Sequence, residues 1–141
     1  MKLNPKNHLY HYNYAYLCET HFDGYILAKK HYEKAISLAP EDPDAYINLA
    51  YLQLRCFGGD GALATIIATL ECKPENPFSY KHLRRLAEIK PSQIPEIVNL
   101  LATLIKQNPQ NKPALCQGIR QGIGRGATHV GSARRYAHDK R

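Results

Sequence analysis

Four prolines set a ruler along the chain. Pro5, Pro40, Pro74 and Pro109 stand 35, 34 and 35 residues apart, and two residues after each comes Asn7, Asp42, Asn76 or Asn111. Proline cannot continue a helix, whereas Asn and Asp are good helix N-caps, so each pair reads as the end of one helix followed by the start of the next. A fixed period of this length signals a repeat architecture. The residues behind the caps repeat too. His11-Tyr-Asn-Tyr-Ala-Tyr-Leu17 lies over Tyr46-Ile-Asn-Leu-Ala-Tyr-Leu52 with Asn, Ala, Tyr and Leu identical, and Tyr80-Lys-His-Leu-Arg-Arg-Leu86 is a looser third copy.

Each unit reads as two helices. The first runs from the Asn7 cap to Thr20, turns at Asp23-Gly24 and continues to Leu38. The second begins at Asp42-Pro43, with proline in the favoured first helical position, breaks at Gly58-Gly59-Asp60-Gly61 and resumes to Cys72. The third begins at Asn76-Pro77, breaks at Pro91-Ser92 and resumes from Pro95 to Gln107. Copies one and three carry one extra residue each, best placed in the turn between their helices. Every one of the six helices needs a neighbour to cover its apolar face.

In this pattern the chain resembles the tetratricopeptide repeat, a 34-residue helix-turn-helix unit of the form W-x2-L-G-x2-Y, A-x3-F, P. The second copy matches best, with Tyr46 in the Trp slot, Leu49 and Ala50 in the Leu-Gly slots, Ala62, Ile66 and Thr69 along the second helix, and Pro74 closing. The first copy supplies His11, Tyr14, Ala15, Ala28, Tyr32, Ala35 and Pro40; the third supplies Tyr80, Leu83, Ile97, Leu101, Leu104 and Pro109, with Arg84 where a small residue is usual. The resemblance implies an all-α fold, a right-handed α-solenoid. It divides the chain into the end of a preceding repeat (1–7), three repeats (8–42, 43–76 and 77–111), a short capping helix (112–123) carrying Leu115 and Ile119, and a basic tail (124–141). Arg84 predicts that the third helix pair is splayed relative to the others.

A solenoid of this kind presents a concave face lined by the first helix of each unit. The groove-facing slots of the resembled family fall on Leu9, Tyr12, Asn13 and Tyr16 in the first copy, on Asp44, Ile47, Asn48 and Tyr51 in the second, and on Phe78, Lys81, His82 and Arg85 in the third. Aromatic rings offer rigid contact area, the two Asn can bond a peptide backbone, and the basic third copy favours an acidic ligand. Tyr14, Tyr32, Tyr46 and Tyr80 fall in core slots instead. Co-chaperones that clamp chaperone C-termini also carry Asn in these two slots, but the clamp's cationic slots hold Leu9, Phe78 and His82 here, so the clamp as such is not implied.

The formal charge of +7 divides unevenly. Residues 1–111 hold 12 basic and 11 acidic side chains, and residues 112–141 hold 7 basic and 1 acidic, so nearly all the excess belongs to the tail. The main expectation is a non-catalytic scaffold that takes a short, acidic or extended protein segment in its groove. A second reading gives the tail a phosphate-binding role through Arg120, Arg125, Arg134 and Arg135, in a nucleic-acid or ribosome-associated protein. A third is self-association through an uncovered first helix.

No phosphate loop, nucleophile elbow or H-E-x-x-H appears, so neither catalysis nor a cofactor is expected. Cys18, Cys56, Cys72 and Cys116 lack zinc-site spacing and read as small hydrophobes. His8 and His11 read as a surface pair rather than a metal site, Glu19, Asp23, Glu41 and Asp42 as solvated helix ends, and Cys18 beside His21 as a buried thiol next to a surface imidazole. Without a signal peptide or an apolar run long enough for a bilayer, the expected location is cytoplasmic.

Overall fold

The computed structural model describes residues 6–111 and residue 113. Six α-helices account for about three quarters of this stretch: α1 (His8–His21), α2 (Tyr25–Leu38), α3 (Pro43–Cys56), α4 (Ala62–Cys72), α5 (Pro77–Ile89) and α6 (Ile94–Gln107). A 3-10 turn at Pro91–Gln93 leads into α6, and another at Pro109–Asn111 follows it. The fold is an all-α repeat solenoid. Apart from residue 113, the expected capping helix at 112–123 and the tail at 124–141, with Arg120, Arg125, Arg134 and Arg135, lie outside the described residues, as do residues 1–5.

The caps act where the ruler placed them. Asn7 accepts from the Leu9 amide at 2.9 Å, Asp42 from the Asp44 amide at 3.1 Å, and Asn76 from the Phe78 amide at 2.8 Å, so the odd-numbered helices all open on a side-chain oxygen. The even-numbered helices start without such a cap. The turn before α4 relies on glycine instead: Gly61 has φ +77, and a Cβ there would stand 2.9 Å from the Gln53 amide nitrogen.

Packing follows the order of the chain. Each helix touches the next, and α1, α3 and α5 also lie side by side, which places the first helices of the units along one face. α3 is the central member. Its Ala45, Leu49 and Leu52 enter a core shared with Tyr12, Ala15, Cys18, Ala28, Tyr32 and Ala35 of the first pair. Its Ala50 and Leu54 enter a second core with Ala62, Ile66, Leu70, Tyr80, Leu83, Leu86 and Ile97. A helix buried on both sides becomes apolar around most of its circumference, which is why the second copy carries the clearest pattern.

Fully buried alanines sit at the seam of the first two pairs, Ala15 with Ala28 and Ala50 with Ala62, and small residues let helices approach closely. At the corresponding positions of the third pair stand Arg84 and Ile97. Arg84 points outward, Ile97 is the one fully buried residue of α6, and Leu100, Leu101 and Leu104 are only partly covered, so this pair is the more open one.

Two expectations are corrected. The turn of the first unit is the shortest, Phe22 to Gly24, so the extra residue lies in the longer second helix: α2 has 14 residues where α4 has 11. Tyr14 is not in the core; it is exposed, stacking on Tyr10 with ring centroids 6.0 Å apart and meeting His31 edge-on at 4.5 Å. The Trp slot has a definite role in copies two and three. The Tyr46 hydroxyl donates to the Pro40 carbonyl at 3.0 Å and that of Tyr80 donates to the Pro74 carbonyl, so each tyrosine ties its unit to the proline that closes the preceding one.

Candidate functional site

Two structures lie along the face formed by α1, α3 and α5, and the residues assigned to the groove divide between them. One is a buried polar network in the first two units. Glu19, expected at a solvated helix end, is only 2% exposed. Its Oε1 accepts from the Tyr32 hydroxyl at 2.8 Å, and its Oε2 accepts from Arg55 at 2.9 Å. Asn48, wholly buried, donates from Nδ2 to the Tyr12 hydroxyl at 3.0 Å and to that of Tyr32 at 3.5 Å. The Tyr12 and Tyr32 rings meet edge to face at 5.9 Å. Burial, and then the Glu19 carboxylate, push the Tyr32 hydroxyl far above the usual phenol range, so it stays protonated and donates.

The groove expectation is therefore corrected for Tyr12, Ile47 and Asn48, all of which are buried, and Leu9 is buried as well. The two asparagines that the repeat alignment equates behave differently. Asn48 joins the first unit to the second, whereas Asn13 is half-buried and its shielded Oδ1 finds no donor among the described residues. Asn is a weak helix former, and at position 48 its hydrogen bonds to two tyrosines offset that cost.

The second structure is a cleft between α3 and α5 with a volume of about 350 Å3. α3 contributes Tyr51, Leu54 and Arg55; α5 contributes Lys81, His82, Arg84, Arg85 and Glu88. Of the expected groove residues, Tyr51, Lys81, His82 and Arg85 come together here, while Asn13, Tyr16, Ile47 and Phe78 do not line it. Tyr51 and His82 stack with centroids 6.3 Å apart and form one wall. Among the described residues the cleft lining carries four cations, one of them Arg55 already paired with Glu19, and one carboxylate, that of Glu88, whose oxygens lie 3.9 Å from Arg84 Nε and 3.6 Å from Arg85 Nη1. The excess of positive charge over a partly enclosed space favours anionic ligands.

The residues that sequence reasoning missed are Arg55, Arg84 and Glu88 in the cleft, and Glu19 behind it. The signals existed. Arg55 follows Tyr51 by four residues, and Lys81, Arg85 and Glu88 follow one another by four and three, so each set shares a helix face. Glu19 aligns at the 35-residue offset with Leu54, a buried position. Arg55 joins the two structures: Glu19 grips it while its guanidinium carbon lies 5.3 Å from the Tyr25 ring centroid and 5.2 Å from that of Tyr51.

The histidines also rearrange. His11 is buried rather than on the surface, and its Nδ1 lies 2.9 Å from His31 Nδ1 across α1 and α2, with the rings stacked at 5.1 Å. One imidazole must donate and the other accept, so the bond requires that at least one stay neutral. Burial, then His11 and Lys30, lower the His31 pKa. A depressed imidazole pKa means that the unfolded chain takes up a proton first, so stability present above the ordinary histidine pKa of 6.5 falls as pH drops below it. The melting temperature should decline between pH 7.5 and 5.5, and His31→Gln should flatten that decline; an equally steep decline in the variant would show that another group governs it.

Nothing in this geometry favours nucleophilic catalysis. Burial pushes the Cys18 thiol up, away from the reactive thiolate, and His21 is exposed. No group of three metal-ligating side chains and no helix long and apolar enough to cross a membrane occurs among the described residues. Residues 31–64 match the family model described as tetratricopeptide repeat, a stretch from within α2 through all of α3 into α4. A search of curated proteins finds no match.

Proposed function

Because residues 31–64 match the tetratricopeptide repeat and the six helices form an all-α repeat solenoid, a class of module that generally mediates protein–protein interaction and is typically non-catalytic, we propose that the chain acts as a scaffold whose α3–α5 cleft receives an acidic, extended segment of a partner protein. The observation that carries this reading is the cationic, aromatic-walled cleft of about 350 Å3. Tyr51 and His82 offer rigid apolar area, while Arg55, Lys81, Arg84 and Arg85 supply the charge. The groove is therefore concentrated on the second and third units, and the first unit braces it through Glu19.

The test uses the full chain and a dye-labelled peptide of alternating Asp and Glu. Lys81→Glu with Arg85→Glu, both on accessible surface, should weaken binding by at least about tenfold, and Tyr51→Ala should weaken it further. Circular dichroism would establish that the variants stay folded. Unchanged anisotropy curves would overturn the reading.

Self-association draws independent support from the first unit, where Leu17, Phe22 and Ile26 are exposed, Ile26 at 80%. Light scattering should then show mass rising with concentration and Ile26→Glu with Phe22→Ser abolishing the rise; a constant monomer mass would remove this second reading.

A further inference from the structure

On the reading that the α3–α5 cleft is the docking site, we propose that it is selective for a phosphorylated side chain within the acidic segment. The reasoning starts from Glu88. Its carboxylate sits among the cations at 3.9 Å and 3.6 Å from Arg84 and Arg85, beyond hydrogen-bond length, as a loosely held internal counter-ion. A ligand carboxylate carries the same single charge and two oxygens, so it gains little over what Glu88 already supplies. A phosphate monoester carries close to two charges and three strong acceptor oxygens, enough to engage cations from both walls at once.

The arrangement of those cations fits that geometry. Arg55 projects from α3, and Lys81 and Arg85 project from α5 across the cleft. Arg55 is ordered before any ligand arrives, held by Glu19 at 2.9 Å and lying against the Tyr25 and Tyr51 rings, which lowers the entropy lost when it grips an anion. A guanidinium fork also suits phosphate oxygens better than a point charge does. The cleft volume is large enough for a phosphorylated side chain with the adjoining backbone against the Tyr51–His82 wall.

Three dye-labelled peptides decide the matter by fluorescence anisotropy with the full chain: Asp-Glu-Ser-Asp-Glu, the same peptide phosphorylated on serine, and Asp-Glu-Glu-Glu-Asp-Glu, which matches the phosphopeptide in charge using carboxylates alone. The phosphopeptide should bind at least about tenfold more tightly than the charge-matched one. Glu88→Gln, an exposed change, should narrow that gap by strengthening the all-carboxylate peptide. Equal affinity for the two charge-matched peptides overturns the selectivity while leaving the acidic-segment reading in place, whereas failure of all three to bind overturns that reading itself. A uridine hexanucleotide that displaces the phosphopeptide at equal concentration also overturns the proposal, because it would show recognition of phosphate without the peptide.

Discussion

Tyr32→Ala should lower the unfolding free energy by about 4 kcal/mol, the range typical of truncating a large core aromatic. Tyr32 is fully buried among Tyr12, Ala28, Ala35 and Leu49, and its hydroxyl serves both Glu19 and Asn48. Truncation therefore opens a cavity and removes one of the two partners of a buried carboxylate. Tyr32→Phe keeps the volume and should cost only about 1.5 kcal/mol, the price of the hydrogen bonds. Urea unfolding followed by circular dichroism measures both. Because each unit in a solenoid is stabilised by its neighbours, the loss should also be local. Hydrogen exchange should quicken in α1 and α2 more than around Ile66, Leu83 and Leu86. A loss below about 1 kcal/mol for Tyr32→Ala would contradict the packing described.

Arg55→Ala is expected to cost about 3 kcal/mol, the lower end for breaking a buried ion pair, and to weaken anion binding in the cleft. The asymmetry of the pair explains the size. The Glu19 side chain has no solvent exposure, whereas Arg55 is more than a third exposed. Removing the arginine strands a buried carboxylate with only the Tyr32 hydroxyl, while removing the glutamate leaves a cation that can turn to water. Glu19→Leu, which copies the residue at the aligned position 54, should therefore be milder, and the double variant should fall well short of the sum of the two losses. Strictly additive losses would show that the two groups do not interact. If Arg55→Ala reduced stability but left acidic-peptide binding intact, Arg55 would belong to the scaffold alone.

These two residues also show where the sequence was readable. The 34- to 35-residue period, the three side-chain caps, the helix boundaries and the pair of alanine seams follow from local rules: proline stops a helix, Asn and Asp start one, and apolar residues recur at helical spacing. Such rules act within about one turn, so residue order displays them directly. The open third pair was legible for the same reason, because Arg84 interrupts the small-residue seam.

The groove was legible only in part. Assigning positions by alignment treated Asn13 and Asn48 alike, yet Asn48 meets two tyrosines from different helices and Asn13 has no such partner. It placed Tyr12 and Ile47 on a surface that is in fact closed. It passed over Glu19 because a charged residue near a helix end ordinarily faces water, and only Arg55, 36 residues later, makes its burial tolerable.

The sequence by itself determined the repeat, the six helices and the concentration of charge in the third copy, since each depends on residues near one another along the chain. Tertiary structure alone decided which polar side chains became a sealed network and which became a cleft. That choice depends on how α1, α3 and α5 lie against one another, and the free energy of a buried charge is set by partners that sequence distance does not reveal.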